Sequence, residues 1–170
     1  MSIGVRIAAV ALSATAFGSA AMAQDYGPFG YGATGSGYGF DWNGFYAGVY
    51  GGGVPMGNTP SFNGGIFTGV NVSIESAVVG LEAQLGGDIG DELSLDALLM
   101  AKGGMALGPV LVYGTGGGGL VGGDVGYAFG GGADYGITDY MSVRGEVLGT
   151  GAWGDMPSDL RLTAGLSFHL

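Results

Sequence analysis

Few side chains in this chain can do chemistry. His169 is the single histidine and cysteine is absent, so a transition-metal site lacks its usual ligands. A nucleophile–histidine–acid set is equally hard to assemble around one histidine at the end of the sequence. What remains is charge. Beyond residue 23 the basic residues are Lys102, Arg144 and Arg161, set against 14 Asp and Glu and a formal net charge of −10. So acidic a chain cannot neutralise phosphates, which excludes nucleic acid as a partner. Asp88, Asp91 and Glu92 cluster in one segment, and Asp155 and Asp159 in another. Their oxygens suit Ca²⁺ or Mg²⁺, but the spacing is not that of an EF-hand, and solvated loop charge is the expected role. No cofactor is expected.

The elements that position these charges announce themselves at the C-terminus. Leu160, Leu162, Ala164, Leu166, Phe168 and Leu170 alternate with Arg161, Thr163, Gly165, Ser167 and His169. Successive side chains of a strand point to opposite faces, so this is a strand with one oily face and one polar face. Its length matches the roughly 9–11 residues of a tilted membrane-crossing strand.

Upstream, segments of similar length recur between turn signals. Expected strands are Trp42–Gly53, Gly64–Ser73, Ala77–Gly87, Leu93–Gly103, Val110–Gly119, Asp124–Gly136 and Tyr140–Thr150. Leu93–Ala106 also has helical propensity, but its alternation favours a strand. In Trp42–Gly53 either Trp42, Tyr46 and Tyr50 or Phe45, Ala47 and Val49 form the buried face. The links at 74–76, 106–109 and 137–139 are tight. The other four are longer or more polar, with loops expected at Val54–Asn63, Asp88–Glu92 and Gly151–Ser158. The expected fold is all-β: an eight-stranded antiparallel up-and-down barrel with short turns at one end.

Charge supply decides which way the barrel faces. A soluble barrel needs many charged outward positions, and these strands offer few. Glu82, Asp96, Lys102, Arg144, Glu146 and Arg161 all fall on the less apolar face. On a lipid face, Arg or Lys at the midplane costs about 2–4 kcal/mol. In a lumen they neutralise one another, so a transmembrane barrel with a packed, paired lumen is expected. The three cations should pair with Glu82, Asp96 and Glu146, with Arg161 near Glu146 or Glu82. Tyr50, Tyr135, Tyr140 and Trp153 near strand ends fit an interfacial aromatic girdle.

The N-terminal region reads differently. Residues 1–23 carry a short basic start, an apolar stretch at 7–17 and the small-x-small sequence Ala21-Met22-Ala23, the pattern of a cleaved secretory signal peptide. Residues 24–40, rich in Gly and Tyr, read as a flexible segment with no periodic apolar face. The barrel is expected over 41–170.

Four stretches resemble the small outer-membrane β-barrel proteins described as porin-like or opacity-like surface proteins, with an OmpA-like eight-stranded barrel. Trp42-Asn43-Gly44-Phe45-Tyr46-Ala47-Gly48 resembles the opening W-x-G-F-Y-x-G motif. Residues 64–88 resemble the hairpin that follows, with Glu82 at its acidic position, and residues 108–117 the fifth strand. Residues 131–146 resemble the hairpin ending in I-T-x-x-x-S-x-R-x-E. The chain departs from that pattern in ending Phe168-His169-Leu170 rather than in Phe.

The resemblance implies a cell outer-membrane location with both barrel termini periplasmic. It also implies outer-membrane lipid and lipopolysaccharide as surroundings, and the barrel assembly machinery as a partner during biogenesis. Closure leaves no strand edge, so a monomer is expected. The expected role is structural, in envelope integrity or as a surface protein, without catalysis. The alternatives are a small-solute porin or channel, and an exported soluble β-barrel that binds an apolar ligand.

Overall fold

The computed structural model describes residues 39–56, 61–89 and 93–170. The expected signal peptide, and residues 24–38 of the segment after it, lie outside the described residues. Eight strands follow in order: β1 (Gly44–Met56), β2 (Ser61–Ile74), β3 (Ala77–Ile89), β4 (Leu93–Leu107), β5 (Val110–Val121), β6 (Asp124–Thr138), β7 (Met141–Ala152) and β8 (Asp159–His169). Each pairs antiparallel with its neighbours in sequence, and β1 pairs with β8, which closes the barrel. Residues 93–107 form a strand, not a helix. The strands run 11 to 15 residues.

Period-2 alternation explains the two faces. Phe45, Ile66, Leu81, Leu99, Val112, Phe129, Val147 and Leu166 point out and are exposed. Tyr46, Phe67, Glu82, Met100, Tyr113, Arg144 and Arg161 point in and are buried. In β1 the ambiguity resolves with Tyr46 inward and Phe45, Ala47 and Val49 outward. Tyr50 also faces the lumen, with its ring centre 6.4 Å from that of Phe67. It is therefore not part of an outer girdle. Tyr135, Tyr140 and Trp153 are exposed.

Glycine makes room for the lumen aromatics. A Cβ on Gly69 would sit 2.5 Å from the Tyr46 hydroxyl, and one on Gly132 would sit 2.7 Å from that of Tyr113. An eight-stranded bore is just wide enough for side chains to fill. Here each of these rings lies over an inward residue that has no side chain.

The links depart from expectation in three places. The chain expected to loop at Val54–Asn63 is strand on both sides of residues 57–60. Pro55 is tolerated because the β1–β8 register shifts between Gly53 and Met56, where a missing N–H breaks no regular ladder. Asp88 belongs to β3, facing Asn63 and Ser94, rather than to a loop. The β5–β6 link is only Gly122-Gly123, with φ of 61° and 89°, a tight hairpin geometry that glycine adopts without steric cost. Long links therefore do not alternate strictly with short ones. The end carrying the chain lead-in, the β8 terminus and the turns at 75–76, 108–109 and 139–140 is called the terminal end below. The opposite end is the loop end.

Candidate functional site

The candidate site is the lumen, where two groups of charges stand apart. The central group is built from β3, β4, β6 and β7. Asp134 and Arg144 are direct cross-strand partners. The guanidinium of Arg144 donates from Nε to Asp134 Oδ1 at 3.0 Å and from Nη2 to Oδ2 at 3.3 Å. Its Nη1 donates to both oxygens of Glu82, at 2.9 and 2.8 Å. Tyr46 donates its hydroxyl to Glu82 at 2.6 Å, and Gln84 its amide at 2.9 Å. A carboxylate held by a fork of charged donors is among the strongest polar contacts available.

Lys102 joins this group differently. Its Nζ lies 3.4 Å from Glu82 and 3.7 Å from Asp134 and makes no hydrogen bond. Instead it stands over the Tyr113 ring at 4.2 Å and the Tyr46 ring at 4.9 Å. Arg144 stands over Phe67 at 4.1 Å. The cations are thus boxed by aromatic faces, which attract positive charge in a dry setting.

The second group sits toward the loop end. Arg161 donates to Asp96 at 2.5 Å and to Asp88 at 3.1 Å. Asp96 also accepts the Gly122 backbone N–H at 2.6 Å, which ties the tight β5–β6 turn back onto β4. Between the groups, on one side of the bore, lies an apolar cluster of Leu98, Met100, Ala128 and Leu148.

The expected pairing differs from this in detail. Glu146 pairs with no cation; it accepts from Tyr113 at 2.9 Å and from Gln84 at 3.4 Å. Arg161 meets Asp96 and Asp88, not Glu146 or Glu82. The register explains it, because Arg161 lies opposite Leu148, one inward step closer to the loop end than Glu146. Asp134 and Asp88 are the two lumen acids that sequence reasoning did not place here. Asp88 and Asp159 begin or end strands rather than occupying loops, and Asp91 and Glu92 lie outside the described residues. Among the described residues, no group of three or more acidic or histidine side chains gathers in a metal-binding arrangement.

A third polar layer lies at the terminal end and was also missed. Ser142 and Ser167 share a hydrogen bond at 2.7 Å, and the Ser142 hydroxyl lies 3.1 Å from His169 Nε2. A serine beside an imidazole invites a nucleophile reading. Both serines, however, are completely buried. The trio packs as a polar lining.

The chain matches no protein-family model, and no curated protein matches it. Fold and lumen together define a closed eight-stranded antiparallel barrel with charged and aromatic side chains within and mostly apolar side chains on its outer wall.

Proposed function

We propose that this chain is an integral outer-membrane β-barrel whose role is structural, in envelope integrity or as a small acidic surface, with no catalysis. One observation carries the reading. Between the turns, the outward wall bears no charged side chain, while Lys102, Arg144 and Arg161 are all buried in the lumen. The exposed charges among the described residues are Asp41, Glu75, Asp124, Asp139 and Asp155, all in turns, loops or strand ends. A wall of Phe, Ile, Leu and Val this extensive would drive association in water. In a bilayer it meets hydrocarbon, and the strands pair around a closed ladder that leaves no free edge. Strands of 11 to 15 residues meet or exceed the roughly 9–11 needed to cross.

The terminal end then faces the periplasm, as tight turns do in this class, and the loop end faces outward. The leader at 1–23 fits export by a signal peptide. Surrounding lipid and lipopolysaccharide are the partners, with the assembly machinery acting during insertion and the barrel persisting as a monomer. A filled lumen speaks against a porin, and a charged one against an apolar-ligand carrier. Cell fractionation tests the reading. The chain is expected in the outer membrane and resistant to alkaline carbonate extraction. Recovery in the soluble periplasm contradicts it.

A further inference from the structure

The chain leading into β1 does not hang free of the barrel mouth. It turns inward and spans the bore. The Asp41 carboxylate accepts the Asn43 backbone N–H at 3.0 Å, a local turn that aims Trp42 inward. The Asn43 side chain in turn accepts the Ser73 N–H at 3.3 Å, which pins the hook to β2. Trp42 is 2 % exposed and packs with Val78 of β3 and with Leu111 and Tyr113 of β5. Phe40 packs against the same cluster beside Ala106 of β4. On the far side, Phe40 and Trp42 meet the His169 ring of β8 edge-on, at 4.7 and 5.5 Å between centres, and Tyr46 stacks on that ring at 5.5 Å. Gly136 of β6 seats Phe40 directly, since a Cβ there would collide with the phenyl ring.

Two aromatic side chains thus draw together β3, β5, β6 and β8 around the circumference. Beneath them lie Ser142, Ser167 and then the central charges. We propose that residues Gly39–Trp42 form a stopper that closes the terminal mouth of the lumen to water and solutes. It is held by ring contacts and by the Asn43–Ser73 hydrogen bond next to it, with no strand pairing of its own. The stopper deepens the structural reading above, because it seals from one end a lumen whose charges would otherwise hydrate. The membrane reading enters only in assigning that end to the periplasm.

The test uses a thiol, since the chain contains none of its own. Ser142→Cys places a cysteine directly beneath the stopper. The full chain, folded in detergent micelles, is treated with a charged maleimide, and the labelling rate is read alongside compact gel migration. With Phe40 and Trp42 in place, labelling is expected to be slow. Adding Phe40→Ala and Trp42→Ala is expected to raise the rate about tenfold or more, because reaction no longer waits on local opening. Phe40→Ala alone, a milder change, is expected to give a smaller rise, and decides the matter if the double variant does not fold. Equal rates in chains that all migrate as compact barrels would overturn the stopper. Because labelling is read in micelles, its failure is distinct from failure of the membrane reading, which fractionation reports separately.

Discussion

The central and loop-end charge groups use the same chemistry with different insulation. At the centre, one guanidinium binds two carboxylates through all three of its nitrogens, and the side chains of Arg144, Glu82, Asp134 and Lys102 are 1 to 3 % exposed. Toward the loops, Arg161 also bridges two carboxylates, but through one nitrogen each, and Asp88 is 19 % exposed with one oxygen unpartnered. Breaking a buried pair strands a charge that water cannot reach, whereas a pair near the mouth can rehydrate. The difference teaches that burial, more than ion-pair count, sets what each arginine contributes.

The largest effect should come from the centre. Arg144→Ala leaves Glu82 and Asp134 facing each other with only Lys102 between them. It is expected to destabilise the barrel by about 3–5 kcal/mol, read from urea unfolding in lipid vesicles. Arg144→Glu, which reverses the charge, is expected to be worse still. Next comes the wall. Leu99→Arg puts a cation on the outward face near the middle of β4 and should cost about 2–4 kcal/mol in a bilayer. A cost near zero would deny that this face meets lipid.

Arg161→Ala should follow at about 1–3 kcal/mol, with a penalty that shrinks as salt is raised, while that of Arg144→Ala does not. If the two arginines cost the same and respond alike to salt, the contrast between centre and mouth is wrong. Glu146→Gln should be smallest, within about 1 kcal/mol. The amide oxygen still accepts from Tyr113, and no cation loses a partner.

Much of this was legible in the sequence because β-structure writes itself in period 2. The outward row Val79, Leu81, Ala83 and Leu85 against Val78, Gly80, Glu82 and Gln84 fixes β3 and its faces without further help. The same rule placed Glu82, Asp96, Lys102, Arg144, Glu146 and Arg161 on inward positions. Partners were harder, because pairing across a bore depends on register and height, not on parity. Asp134 shows this. The inward face of β6 is otherwise mostly glycine, so attention falls on its aromatic outer face. Counting back from the 139–140 turn would set Asp134 opposite Gly145; the register shift between Gly136 and Thr138 brings it opposite Arg144 instead. Asp88 escaped for another reason: its acidic neighbours at 91 and 92 read as loop chemistry, while β3 continues through Ile89. Trp42 shared the parity of Tyr46 and Tyr50, but the inward turn of Phe40 left no periodic trace, because it rests on ring contacts with strands far away in sequence.

The proposed membrane barrel makes one demand that a soluble barrel does not: lipid would have to cover its wall. The direct measurement is refolding of the full chain from urea with and without phospholipid vesicles, read by heat-modifiable gel migration. The compact, fast-migrating form is expected only when vesicles are present. A compact form appearing equally in buffer alone would contradict the account.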